Sequence, residues 1–148
     1  MTRAFVALSG TFGYELDLTK LDETELSLVP HQVELYKRNC FRMQNGDYYR
    51  IASFAENHEW DSWLFASKDK SEALLTVVQV LNRPNFHSRK VRLRGLNDKI
   101  RYQVNMENSN GITEELGNWG GDTLMNAGLL IPRFWGDFQS AIISLKKV

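Results

Sequence analysis

Hydrophobic and polar positions follow two different rules along this chain, and the change falls near residue 45. Residues 4–8, Ala-Phe-Val-Ala-Leu, are a continuous apolar run closed by Ser9-Gly10-Thr11-Phe12-Gly13. An apolar run without alternation predicts a strand buried on both faces, as in a parallel sheet covered by helices. Asp22-Glu23-Thr24-Glu25 then has the form of a helix start, with Asp22 as N-cap and Glu25 where a capping box places it. Pro30 would break a helix interior. The pattern therefore predicts a short turn to Leu28 and a second helix from about Pro30, with Val29, Val33, Tyr36 and Cys40 on its buried face. One such βα unit cannot close a fold alone.

After the turn Gln44-Asn45-Gly46-Asp47 the character changes to strands. Residues 48–53, 60–67 and 72–81 are rich in aromatic or β-branched side chains, with Lys68-Asp69-Lys70 as a polar connection. Asn82-Arg83-Pro84-Asn85 breaks the chain. Val91 and Leu93 then face one way while Lys90, Arg92 and Arg94 face the other, a half-buried strand. Residues 100–105 and 138–146 complete at least six strands, with loops expected at 108–111 and 117–121. Short strands joined by turns without intervening helices indicate an antiparallel β-sandwich. The chain thus reads as mainly β, divided into a βα unit over 1–44 and a β domain over 45–148.

Composition narrows the class. At 148 residues the chain is one domain, or one domain plus a piece of another. Aromatic residues at 11% with mixed charge favour a packed core over disorder. The lone Cys40 has no disulfide partner, and no Asn-x-Ser/Thr sequon suggests secretion. Eighteen basic against eighteen acidic residues argue against a dedicated nucleic-acid binder. The longest apolar runs, such as 124–132, fall well below the roughly 20 residues of a membrane span. The apolar stretch after Arg3 is too short for a signal-peptide core, so a cytoplasmic, soluble chain is expected.

Candidate chemistry is sparse. His31, His58 and His87 stand far apart in sequence and Cys40 has no neighbour at ligand spacing, so no metal site is expected. No Gly-x-Ser-x-Gly elbow occurs, and Gly10-Thr11-Phe12-Gly13 lacks the spacing of a phosphate cradle. Residues 83–101 hold seven basic residues against Asp98, with Phe86 and Tyr102 near for stacking. A solvated strand face guarded by Lys and Arg is the simpler reading. The alternative reading is attraction between those cations and the acidic stretch 15–34. Asp61, Asp122 and Asp137 each lie near tryptophan, the pairing of glycoside hydrolysis, but sequence spacing brings no two of them together. Trp60, Trp63, Trp119 and Trp135 more often fill a core or an interface.

Four blocks carry a family resemblance. The stretch Ala7-Leu8-Ser9-Gly10-Thr11-Phe12-Gly13-Tyr14-Glu15-Leu16-Asp17 resembles the end of the catalytic barrel in melibiase-type α-galactosidases, glycoside hydrolase family 36. Tyr36-Lys37 leading to Asn45-Gly46-Asp47-Tyr48-Tyr49-Arg50, Gly121-Asp122-Thr123-Leu124-Met125-Asn126-Ala127-Gly128-Leu129, and Gly136-Asp137-Phe138-Gln139-Ser140 agree in order. The resemblance implies a retaining glycosidase that acts without metal or cofactor on terminal α-galactosyl groups, as in melibiose and raffinose. Its parent would have an N-terminal sandwich, a (β/α)8 barrel and a C-terminal antiparallel β domain, and would be a homo-oligomer. Residues 1–44 would match the last barrel strand and helix, and 45–148 the C-terminal domain.

The family's catalytic aspartates lie in earlier segments, so no catalytic residue is assigned in this chain. Ser9, Gly10, Thr11 and Phe12 would sit at the barrel mouth, because barrel sites gather at strand carboxyl ends. With its barrel partners missing, the N-terminal end is expected to expose an apolar patch. The alternative from another class is a free-standing carbohydrate-binding β module with exposed Trp platforms. A hydrolase using carboxylates of this chain stands third.

Overall fold

A computed structural model describes residues 1–15, 17–85 and 88–148. Helix α1 (Thr2–Ala7) and helix α2 (Glu23–Asn45) precede strand β1 (Asp47–Ala52). A one-turn helix α3 (Phe54–Asn57) leads into β2 (Trp60–Ala66) and β3 (Glu72–Gln79). Then come β4 (Arg89–Val91), β5 (Arg101–Asn108), β6 (Thr113–Gly120), α4 (Gly121–Asn126), β7 (Leu129–Ile131) and β8 (Gln139–Lys147). Six strands form one antiparallel sheet in the order β1-β2-β3-β8-β5-β6, and β4 pairs with β7 in a separate ribbon. The fold is mainly β and antiparallel, as the strand pattern predicts.

The sheet is covered on both faces, and the side-chain alternation shows why. Leu64, Leu75, Val104 and Ile143 point to one face, where they pack with Val91, Leu93, Leu129 and Ile131 of the ribbon region and Leu124 of α4. Their sequence neighbours Leu74 and Ile142 point to the other face, against Phe5 and Leu8 of α1 and Leu35 of α2. Trp63, Phe65 and Val78 extend that second layer toward Met43. A strand covered on both sides needs no polar stripe, so β3 is apolar through most of its length.

The structure corrects three expectations. Residues 4–8 are not a strand but belong to α1 and its C-cap Leu8. Neither β1 nor β6, the sheet's edges, pairs with them, so as a strand they would leave N–H and C=O groups unpaired. As a helix they close their own bonds, Leu8 N–H to Ala4 O at 2.9 Å and Phe5 N–H to Met1 O at 3.1 Å. Ala4, Phe5 and Leu8 then bury on one side while Val6 stays 45% exposed. A short apolar run cannot tell these two outcomes apart by periodicity.

The second correction is α2, one helix of 23 residues with Pro30 inside it. Asp22 caps it as predicted, its carboxylate accepting from Glu25 N–H at 2.7 Å. Pro30 removes only the bond that would reach Leu26, and both residues are exposed, so water serves the freed carbonyl. The buried seam also turns by one position, to Leu35 and Asn39, while Val29, Val33, Tyr36 and Cys40 are half-buried.

Third, residues 117–120 belong to β6 rather than to a loop. Gly117 (φ +91°) faces Val104 where the β5–β6 register shifts, a bulge whose left-handed backbone favours glycine. Of the run expected to lie exposed, Ala4, Phe5 and Leu8 are buried, while Val6 and, outside it, Leu18 and Leu26 are exposed.

Two outcomes follow from local geometry. Gly95 has φ +71°, and a Cβ there would lie 2.2 Å from the Tyr49 ring. Gly95→Ala is expected to destabilise the chain by about 2–3 kcal/mol, against less than about 0.5 for Gly10→Ala in open space, measured by urea unfolding. Asp47 joins β1 to the β2–β3 turn by accepting from Lys68 Nζ and from Lys70 Nζ at 2.6 Å. Those hydrogen bonds hold its carboxyl at about 2, below the usual value of 3.8. A depressed carboxyl stabilises the fold above its unfolded value, and this contribution disappears as pH falls through about 2. Asp47→Asn should therefore lose less stability than the parent chain between pH 4 and pH 2, followed by thermal unfolding.

Candidate functional site

The segment Ser9 to Phe12 leaves α1 and crosses the surface before α2 begins. Ser9 Oγ accepts from the indole Nε1–H of Trp63 at 2.5 Å, tying the end of α1 to β2. Around it Val6, Tyr48, Arg50, Asp61 and Val78 line a shallow depression of about 440 Å³. Gly10 and Thr11 are exposed. Phe12 turns the other way, stacking on Tyr36 at 5.2 Å and meeting Tyr14 edge-on at 5.4 Å. It lines an apolar groove of about 360 Å³ with Met1, Ala4, Leu21, Leu28 and Val29. Tyr14 closes that groove by donating to Gln32 Oε1 at 2.6 Å, and burial raises its hydroxyl above the ordinary tyrosine value. The four candidate residues thus do not converge. Ser9 and Phe12 serve two different concavities.

Other candidate groups are engaged locally. His31 Nε2 lies 2.5 Å from Glu107, and His58 ends α3 in the left-handed conformation against Phe54. Cys40 Sγ reaches the Lys37 carbonyl, at 3.5 Å. His87, Phe86 and Leu16 lie outside the described residues. Among the described residues no three His, Cys, Asp or Glu side chains gather as a metal site. Asp61 accepts from Arg50 at 2.9 Å and from Phe54 N–H at 3.0 Å, and Asp122 from Thr123 at 3.2 Å. Asp137 accepts from Asn82 N–H at 2.7 Å. No residue is shared among these three sets of partners.

Two residues of the basic stretch turn toward Glu59. Arg83 and Arg89 approach that carboxylate at 3.0 and 3.6 Å, and Arg89 also lies 4.4 Å from the Trp60 ring centroid. Tyr102, a stacking candidate, is a core residue. Its hydroxyl donates to Lys70 O at 2.7 Å and accepts from Asn97 N–H at 3.1 Å. Burial pushes that hydroxyl above its ordinary value.

The four tryptophans divide by environment. Trp63 is buried and Trp60 half-buried, while Trp119 is partly exposed with its Nε1–H on Leu116 O at 2.7 Å. Trp135 is 73% exposed, with the Arg133 guanidinium 3.8 Å from its ring centroid. Arg133 gave no signal in the hydrophobic pattern, and Phe138 gave one only as the start of a strand. Only the meeting of a loop with a sheet end singles them out.

Comparison with known proteins closes the question of family. The sequence model described as Glycosyl hydrolase family 36 C-terminal domain matches residues 60–145. The chain is 42% identical over 147 residues to the α-galactosidase AgaA of Geobacillus stearothermophilus and 37% identical to the α-galactosidase Mel36A of Lactobacillus acidophilus. Each match covers 99% of this chain but only 19% of the relative, so the chain spans about a fifth of their length. A crystal structure of an AgaA variant in complex with raffinose superposes with a TM-score of 0.87 at 40% identity, again over 99% of this chain and 19% of the other. The chain belongs to glycoside hydrolase family 36, and it corresponds to the C-terminal domain of the family's α-galactosidases.

Proposed function

We propose that this chain is the C-terminal part of a retaining α-galactosidase that hydrolyses terminal α-galactosyl groups, and that the segment supports a catalytic barrel rather than carrying the chemistry. The observation that carries this reading is the state of the carboxylates. A retaining hydrolase needs two of them about 5–5.5 Å apart across one sugar. Asp61, Asp122 and Asp137 instead have separate local partners. The raffinose and stachyose bound by AgaA variants make raffinose-type oligosaccharides the expected substrate class of the whole enzyme, met by the barrel upstream. The whole enzyme would be cytoplasmic and homo-oligomeric.

In this reading residues 1–44 belong to the edge of the barrel and 45–148 to the β domain. The groove beside Phe12, with Val29 and Leu28 in its wall, would be covered by upstream barrel helices. Ser9, Gly10, Thr11 and Phe12, which follow α1 rather than a strand, would approach the barrel mouth on the family resemblance alone.

The purified chain should not hydrolyse an aryl α-galactoside above background. Turnover that survives purification to homogeneity would overturn the structural role. In a complete enzyme carrying this segment, Thr11→Ala should lower kcat/KM by about tenfold, roughly 1.4 kcal/mol of transition-state stabilisation. Thr113→Ala, an exposed change at the far edge of the sheet, should leave it within about twofold. Equal effects of the two would remove Ser9 to Phe12 from the barrel mouth.

A further inference from the structure

The fold treats the two Asn–Gly pairs of this chain, Asn45–Gly46 and Asn110–Gly111, in opposite ways. Such a pair is open to attack on itself, because glycine has no side chain to shield its backbone nitrogen or restrict its rotation. Asn45 is the last residue of α2, and the Gly46 N–H donates to Arg42 O at 2.8 Å as the helix closes. Asn45 Nδ2 donates to Phe41 O at 3.0 Å. A Cβ on Gly46 would run into the carbonyls of Arg42 and Ala66, so that backbone is wedged between α2 and β2. Asp47 begins β1 directly afterwards. The Gly46 nitrogen cannot swing toward the Asn45 side chain without unwinding the helix end or lifting the strand.

Asn110 and Gly111 are both exposed, at the tip of the β5–β6 hairpin, where β6 is an edge of the sheet. Gly111 has φ +78°, and a Cβ there would meet nothing within 4 Å. Its N–H closes the turn on Asn108 O at 3.0 Å, while Asn110 Nδ2 reaches Gln139 Oε1 at a long 3.4 Å. Bonds at a hairpin tip open without disturbing the ladder behind them. Asn108 shows protection within the same turn. Its Oδ1 accepts from the N–H groups of Asn110 and Ile112 at 2.9 and 3.0 Å, and the nitrogen that follows it, Ser109 N, donates to Ser140 O at 2.7 Å.

We propose that Asn110 is a site of spontaneous covalent modification, converting through a cyclic imide with Gly111 to aspartate and isoaspartate, while the fold shields Asn45 and Asn108. The Gly111 backbone nitrogen gives its proton to solvent and attacks Asn110 Cγ. The bond from that nitrogen to Cγ forms, the Cγ–Nδ2 bond breaks, and Nδ2 leaves as ammonia with a proton returned by solvent. Water then opens the five-membered ring. Breaking the bond to Cγ leaves aspartate, and breaking the bond to the Asn110 backbone carbonyl leaves isoaspartate, with the chain running through the former side chain. Overall a water is consumed and an ammonia released, with no oxidation or reduction. Either product adds a negative charge to a chain of eighteen basic and eighteen acidic residues, and replaces the Nδ2 donor facing Gln139 Oε1 with an acceptor. Isoaspartate also lengthens the main chain of a turn that Ser109 pins to the start of β8. The inference concerns the covalent stability of this chain and does not depend on the α-galactosidase reading.

The experiment incubates the 148-residue chain in mildly alkaline buffer, folded and in urea, and maps its peptides by mass spectrometry after a short acidic digestion that halts the reaction. In the folded chain the Asn110 peptide should gain the mass of an NH-to-O exchange at least about tenfold faster than the Asn45 peptide, the ratio set by how readily each site opens. An isoaspartyl methyltransferase should label the modified Asn110 peptide. In urea the two rates should come within about threefold of each other, because both sites are then unfolded Asn–Gly pairs. Asn110→Gln, an exposed change whose longer side chain would have to close a six-membered ring, should abolish both the mass gain and the label at that position. Comparable rates at Asn45 and Asn110 in the folded chain would overturn the proposal, as would a folded chain unmodified at Asn110 under conditions that modify it in urea. So would a mass gain without the isoaspartyl label, which would indicate direct hydrolysis, or a gap that persists in urea, which would assign the difference to neighbouring sequence rather than to the fold.

Discussion

The insertion of β8 between β3 and β5 is the constraint on which the rest of the structure depends. Residues 139–147 arrive last in sequence yet occupy the middle of the six-stranded sheet, with Ile143 opposite Leu75 on one side and Met106 on the other. Without β8 the sheet would fall into two pieces, β1-β2-β3 and β5-β6, each with an apolar edge. Bringing Lys146 to Glu72 closes a long loop, an entropic cost that precedes any gain from contact. What offsets it is burial on both faces at once. Ala141, Ile143 and Leu145 enter the core under the ribbon, while Ser140 and Ile142 face the helices. Both cores are completed by the same strand, so they stand or fall together.

The helix layer is attached through polar contacts as well as apolar ones. Asn39 donates to Leu35 O at 2.8 Å and accepts from Arg42 at 2.8 Å, and Arg42 in turn pairs with Glu72 at the start of β3. Glu72 also meets Lys146 of β8 at 3.7 Å. The Arg42 side chain is largely buried and its Nε has no partner. Such a cluster adds little net stability, because desolvation cancels most of the attraction. It does fix which turn of α2 lies over which strand, a choice that Leu35 alone would leave loose. This polar seam accounts for the one-residue rotation away from Val29 and Val33.

The legible parts of this fold are those where one local property decides the outcome. β2, β3 and β8 are apolar because both of their faces are covered, and they are found wherever such a run ends in turn residues. Asp22 is found because its cap is a local bond. β6 is missed because Thr113–Gly120 is an edge strand whose faces are largely solvated, so its sequence carries no apolar period, and two glycines mimic a loop. Residues 4–8 are misread because helix and buried strand share one apolar signature, and only the absence of a pairing edge selects the helix. Pro30 misleads for a related reason. Its cost depends on whether the freed carbonyl meets water, which no sequence window reports. At the candidate sites Ser9 and Phe12 are three residues apart but point into different concavities. Trp63 and Trp135 are the same residue type, one buried under α1 and the other in water.

Hydrogen bonding and charge in this molecule serve its frame unevenly. Several acidic side chains serve the frame: Asp61 orders the start of α3, Asp47 clamps the β2–β3 turn and Glu59 gathers Arg83 and Arg89. A group held this way cannot also move toward a substrate without loosening the contact it makes. The loop carrying Trp135 follows a different logic. Its backbone carbonyls accept from Gln79 and Thr2, its Phe138 N–H donates to Val80 O, and the Asp137 side chain accepts from Asn82 N–H. That arrangement leaves Trp135 and Phe138 exposed on a fixed backbone, with the Arg133 guanidinium stacked on the Trp135 ring. Asp47, Asp61 and Glu59 hold the fold through their side chains, whereas Trp135 and Phe138 are positioned by it through their backbone.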